Sequence, residues 1–235
     1  MFNKADIDAA ELDWKDADEF NESLSKLKKG QVKFIKVEGD LARSKLAWKI
    51  ATYSEAIRYR LIEVTEACID EWQKERFVAC FIMARVIIET VAALYELEHQ
   101  LQKLLANKDL DAIDAMIMKR TFGTRLADLF GGKKAYEAVS VLTTIDKLDK
   151  FLKGHVREAY DRLSEYTHTN YMGVCSSYEK IDYKYGDVTY GNQNTKHNVF
   201  MRLQGEFGLL ELANITFEKI KSHVKATADL QHELD

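Results

Sequence analysis

A chain of 235 residues without one proline is constrained before any pattern in it is read. Average usage near 5% would place roughly a dozen prolines in this length. Proline removes a backbone donor and clashes with the preceding helical turn, so its absence suits long uninterrupted helices. It also rules out Pro-rich linkers. The length is enough to bury a sizeable core. The expected fold is all-α: one domain over residues 1–235, a bundle of long antiparallel helices.

Apolar spacing places the helices. From about Ala5 to Lys29, residues Ile7, Ala10, Trp14, Ala17, Leu24 and Leu27 recur near helical spacing. Acidic residues open this stretch and Lys26, Lys28 and Lys29 close it, as the helix dipole favours. Gly30 is the expected stop. Gln31 to Glu38 reads as a β-like extended arm with Val32, Phe34 and Val37. Asp40 then caps a second helix reaching about Asp70. The third helix, about Lys74 to Ala106, is the most apolar, and a shorter one spans Asp109 to Lys119. Gly123-Thr124 and Gly131-Gly132 mark breaks, Lys133 to Lys153 reads as helix, and Gly154 separates it from a helix over His155 to Gly173. Over residues 177–191, Ile181, Tyr183 and Tyr185, then Val188 and Tyr190, alternate with polar residues. A β-hairpin is expected there, inserted before a last helix from about Thr195 to Leu230, with Gly186-Asp187 as a two-residue turn.

Composition narrows the function classes. The net charge of −4 disfavours non-specific binding to a nucleic-acid backbone, although it permits a local basic cleft. Cys68, Cys80 and Cys175 form neither a CxxC pair nor an even set, which points to reduced thiols and a cytoplasmic setting. The acidic N-terminus lacks the apolar region of a secretory signal. The apolar run Phe77 to Leu97 contains Arg85 and Glu89, so it reads as a buried core helix and not a membrane span. No P-loop, dinucleotide fingerprint or G-x-S-x-G elbow is present, so no cofactor is expected and a serine hydrolase on Ser164 and His168 lacks its frame.

Chemistry concentrates between Tyr160 and Asn170. On a helix, Asp161, Glu165 and His168 fall at i, i+4 and i+7 on one face, with Ser164 and His168 also four apart. A carboxylate on that face would orient the imidazole. Arg162 lies about 120° away from His168 on a regular helix, so the two meet only at a cleft edge or across a two-fold axis. Arg85 and Glu89, four apart on the apolar helix, continue through Ala92, Glu96 and His99 as a polar stripe, which suits either a structural ion pair or a groove. As a purely structural element, His168 and Asn170 would satisfy buried backbone groups near Gly173.

Arg162-Leu-Ser-Glu-Tyr-Thr-His168 resembles the motif of HEPN domains (higher eukaryotes and prokaryotes nucleotide-binding): an arginine, four to six residues, then a histidine. The wider Tyr-x-x-Leu-Ser-Glu-Tyr-x-His-x-Asn is similar to a stretch of uncharacterised bacterial HEPN-like proteins. The resemblance implies a helical bundle acting as a homodimer, and for many members a metal-independent ribonuclease. It implies that His168 is general base or acid, that Arg162 stabilises phosphate charge, and that Glu165 or Asp161 orients the imidazole. Asn170, Tyr166 and Tyr171 would touch base or sugar, and Arg85 and Glu89 would line the same cleft. Other members have lost catalysis and serve as binding or dimerisation modules.

Two further readings use the same residues. Glu165-x-x-His168 and Glu96-x-x-His99 match the paired motifs of di-metal four-helix bundles, with Glu55, Glu63, Glu66 or Glu211 as extra ligands. Alternatively the chain is a non-catalytic oligomerisation or regulatory module, using the Ile7, Ala10, Trp14, Ala17 face or the tyrosine-rich hairpin.

Overall fold

A computed structural model describes residues 1–130 and 137–234. They form α1 (Lys4–Ala9), α2 (Trp14–Lys29), α3 (Asp40–Arg43), α4 (Lys45–Gln73), α5 (Phe77–Ala106), α6 (Leu110–Phe122), a 3-10 turn (Ala127–Phe130), α7 (Val141–Phe151), α8 (Val156–Thr167), α9 (Cys175–Tyr178), the antiparallel strands β1 (Glu179–Asp182) and β2 (Asp187–Tyr190), and α10 (Lys196–Leu234). The architecture is the expected helical bundle with a hairpin before the last helix.

Helix α5 is the hub, and α4, α6, α7, α8 and α10 all pack on it. It is long and apolar enough to cross a membrane, but 56% of its most apolar window is buried inside the bundle. Phe81, Ala84, Ile87, Ile88, Val91, Leu94 and Leu97 are all buried. A second aromatic knot ties the N-terminus to α4 and α10. The ring of Phe2 stands edge-on to Trp72, Phe200 and Phe207 at 5.1–5.3 Å. The Trp72 indole donates to the Lys196 carbonyl at 2.9 Å, closing α4 onto the start of α10.

Several boundaries differ from expectation for one physical reason. The first helix is split, because Glu11 takes a left-handed conformation (φ 54°) and the Leu12 amide reaches back to the Ile7 carbonyl at 3.1 Å. Asp13 then caps α2 through the Lys15 amide. The same back-reaching bond recurs after α4 (Arg76 to Glu71), after α5 (Asp109 to Leu104) and after α7 (Gly154 to Asp149). The left-handed residues at these ends are Glu75, Lys108 and Lys153, not glycines. Ser44 caps α4 through the Ala47 amide at 3.0 Å, so Asp40 caps nothing and opens the short α3 instead.

Residues 31–38 contain no strand and form an irregular arm. The hairpin turn is four residues long, 183–186, because Asp182 pairs with Asp187. Gly186, at φ 77°, takes the left-handed position. Residues 131–136, which include the Gly131-Gly132 break and the start of the expected 133–153 helix, lie outside the described residues. Within them, α7 begins at Val141.

A side chain in the left-handed region costs about 1–2 kcal/mol, which glycine avoids. Glu75 and Lys108 form no ion pair among the described residues. Glu75→Gly and Lys108→Gly are each expected to raise unfolding free energy by about 0.5–1 kcal/mol in denaturant titrations. A loss of stability in both would remove this account of the helix ends.

Candidate functional site

The segment around Arg162 and His168 is built on α8. Its N-terminus is held by Asp149 of α7, whose carboxylate accepts the Arg157 amide at 2.9 Å. Val156, Tyr160, Leu163 and Tyr166 are its buried face. The Tyr166 ring lies 4.2 Å from Phe81 of α5, and its hydroxyl accepts from Arg202 of α10. Tyr166 is 4% exposed, so the expectation that it meets substrate is corrected: it is a packing residue.

The helix stops at Thr167, six residues before its expected end at Gly173. Ser164 donates to the Tyr160 carbonyl at 2.8 Å, and Thr167 donates to the carbonyls of Leu163 (3.1 Å) and Ser164 (2.8 Å). Thr65 and Thr90 make the same kind of bond inside unbroken helices, so these bonds accompany the helix end without causing it. His168 is the C-cap in extended conformation (φ −95°, ψ 154°). The chain then doubles back so tightly that a Cβ on Gly173 would stand 2.0 Å from the His168 carbonyl oxygen. His168 therefore leaves the Asp161/Glu165 face, and the expected carboxylate–imidazole alignment does not form. Glu165 instead accepts from Asn170 at 2.5 Å, and Asn170 accepts the Gly173 amide at 3.2 Å. Asp161 pairs with Arg157 at 2.9 Å, and Arg162 with Glu158 at 3.2 Å. His168 is exposed, with no hydrogen bond or ion pair to a described residue, and Tyr171 is 70% exposed.

Arg85 and Glu89 do join α8 from α5. Arg85 donates to the Tyr160 hydroxyl at 2.7 Å and to Thr167 at 3.3 Å, and its guanidinium lies 4.8 Å from the Tyr160 ring centroid. Tyr160 in turn donates to Glu89 at 3.1 Å. The Arg85 Nε sits 3.3 Å from Glu89 but off the line of a hydrogen bond. This closed circuit ends one residue before His168, so Arg85 reaches the neighbourhood of the imidazole without facing an open phosphate position.

A further group was hidden from sequence reading. Glu206 of α10 is 3% exposed, and its Oε2 has no partner among the described residues. It borders a cavity of about 180 Å3 lined by Ile88, Leu152, His155, Val156 and Ala159. Burial pushes its carboxyl up to about 7, opposed by a backbone hydrogen bond and by the charge of Arg162. The available signal was a lone carboxylate amid Phe200, Leu203, Phe207 and Leu210.

The di-metal arrangement is not assembled. Glu96 turns to α7, accepting from Lys147 and Gln100, both at 2.5 Å. His99 is exposed and stacks on Tyr95 at 6.0 Å. Glu211 pairs with Lys26 at 3.3 Å, Glu66 with Lys28 at 2.5 Å, and Glu55 with Arg58 at 3.1 Å. Among the described residues no three His, Cys, Asp or Glu side chains gather as metal ligands. No family model, curated protein or solved structure matches the chain.

Glu206 yields a pH prediction. Its folded value, about 7, lies above the ordinary 4.5, so the folded state holds the proton more tightly. Its contribution is neutral below pH 4.5, falls as pH rises through 7, and then stays level, at a cost on the order of 3 kcal/mol. Glu206→Gln is expected to be more stable than wild type at pH 8 and to match it at pH 4.5. Equal wild-type and variant slopes in denaturation across this range would count against the assignment.

Proposed function

We propose that the chain is a HEPN-like, cytoplasmic homodimer that binds RNA and cleaves it by metal-free acid–base chemistry through Arg162 and His168. The observation that supports this is their availability. Among the described residues His168 is exposed and has no hydrogen-bond or ion-pair partner, and the one ion pair of Arg162 is the surface pair to Glu158. Such a pair is worth about 0–1 kcal/mol, so a phosphate displaces it readily. The two side chains leave α8 in different directions, and a second copy supplies the missing half of the site: Arg162 of one α8 would meet His168 of the other.

The chemistry needs only these groups. Neutral His168 takes the proton from a ribose 2′-hydroxyl, and the 2′-oxygen attacks the adjacent phosphorus. Arg162 holds the non-bridging oxygens as their charge grows. The 5′-oxygen leaves with a proton from an imidazolium, giving a 2′,3′-cyclic phosphate. Asn170 and Tyr171 border His168 and are the remaining candidates for base or sugar contact.

A non-catalytic dimerisation module is the second reading, favoured by one observation. Glu165 is committed to Asn170 and Asp161 to Arg157, which leaves His168 without an orienting carboxylate among the described residues.

Mixed RNA incubated with the purified protein distinguishes them. On the catalytic reading His168→Ala lowers cleavage about 100-fold or more and Arg162→Ala about 100- to 1,000-fold, with both variants folded. Equal cleavage by wild type and both variants rejects the assignment. No cleavage, together with a dimer in light scattering that His168→Ala dissociates, selects the non-catalytic module.

A further inference from the structure

A larger space lies away from α8. After Gly30 the arm of residues 31–39 crosses α4 without regular structure, and a groove of about 780 Å3 opens between the arm, α4 and α10. Clefts that hold small molecules run from about 300 to 1,000 Å3. Its walls include Val32, Ile35, Leu41, Ala51, Ile220 and Val224.

Set into these apolar walls is the guanidinium of Arg58, whose side chain is 12% exposed. Its Nε donates to Glu55 Oε2 at 3.1 Å, and its cation lies 3.9 Å from the centroid of the Phe217 ring. The other Glu55 oxygen accepts the Val32 amide at 2.8 Å. Both oxygens of Glu55 are therefore engaged, one by the arm and one by Nε. The two terminal nitrogens of Arg58 have no hydrogen-bond acceptor among the described residues. Neither terminal nitrogen is sealed from solvent, so the fork opens into the groove and is available to an acceptor that enters it.

Gly30 makes room for that fork. A Cβ at this position would stand 2.6 Å from Arg58 Nη1. The backbone at Gly30 is ordinary, φ −78°, so glycine is needed here for space and not for conformation.

We propose that this groove binds a small amphipathic carboxylate. The carboxylate takes the two terminal nitrogens of Arg58, and the hydrocarbon lies along the apolar walls. A guanidinium fork matches a carboxylate with two parallel hydrogen bonds, and stacking on Phe217 fixes its plane in advance. The surrounding charge selects a monoanion. Arg58, Lys221 and Lys225 line the groove with Glu38, Asp40, Glu55 and Glu218, three cations against four carboxylates, so a second negative charge on the ligand has no counterpart. The site is independent of the α8 chemistry, and neither reading rests on the other.

Calorimetric titration of the full chain with octanoate tests this, with octanol and octyl phosphate as comparisons. Octanoate is expected to bind at one site, at least about 10-fold more tightly than octanol, the difference that charge-assisted hydrogen bonds supply. Arg58→Met is expected to reduce octanoate affinity by a similar factor. Gly30→Ala gives the same loss with the fold kept, because the added methyl meets only the tip of a flexible side chain. Octanoate binding no tighter than octanol overturns the proposal, as does a folded Gly30→Ala that binds like wild type. Octyl phosphate binding more tightly than octanoate overturns the choice of a carboxylate. If Arg58→Met does not fold, the Gly30→Ala comparison decides.

Discussion

Burial of α5 on nearly every side is the constraint from which the rest of the bundle follows. From Phe77 to Leu97 this helix has too little polar surface to stand in water, so other helices must enclose it, while His99, Gln102 and Lys103 reach the surface near its end. Each fully buried large aliphatic or aromatic residue contributes roughly 1.5–3 kcal/mol. Enclosure then favours a partner for each buried polar side chain on α5, although the atoms Arg85 Nε and Glu96 Oε2 have none among the described residues. Glu96 takes Lys147 of α7, Glu98 takes His223 of α10 at 3.2 Å, Thr90 accepts from Arg60 of α4 at 3.3 Å, and Arg85 with Glu89 takes Tyr160 of α8. Each of these four helices is identified by a polar tether as well as by apolar packing. The tethers give the bundle a register that a uniform apolar surface would not.

That requirement divides the α8 segment into two kinds of residue. Tyr160 and Tyr166 are spent on the fold, one closing the Arg85–Glu89 circuit and the other bonded to Arg202. Arg162, His168 and Tyr171 stay outside because nothing in the enclosure needs them. The polar motif on α8 thus separates into groups that satisfy burial and groups that stay at the surface. Glu206 stands between these cases, enclosed yet with one oxygen unpaired, close enough to feel Arg162.

The groove beside α4 arises from a different necessity. Residues 31–39 have no strand to pair with, so their backbone is tied down piecemeal: Val32 donates to Glu55 and accepts from the Tyr59 hydroxyl at 3.1 Å. Those two bonds tie the start of the arm to α4, and the groove opens between the arm, α4 and α10. The same carboxylate that receives the arm also orients Arg58, so the geometry of the groove and of its cation are set together.

The places of the long helices, the all-α class and the hairpin before α10 were legible because proline-free runs of 3.6 periodicity are local properties. Helix ends were less legible, since Glu11, Glu75, Lys108 and Lys153 take left-handed positions where a reader looks for glycine. The end of α8 was missed because the turn after it is held by Asn170, which donates to Glu165 and accepts the Gly173 amide, contacts that helical spacing cannot announce. The polar stripe of Arg85 and Glu89 was visible, but its target, Tyr160, was not, because the pair lies seventy-one residues or more apart in sequence. Gly30 was read as a helix stop, and it does end α2, but its further role is to leave space for Arg58. By itself the sequence determined which segments are helical and which helix must be enclosed, since both depend on the order of neighbouring side chains. Only the tertiary structure decided which charges are consumed, which are left free and where space remains, since those depend on groups brought together from distant parts of the chain.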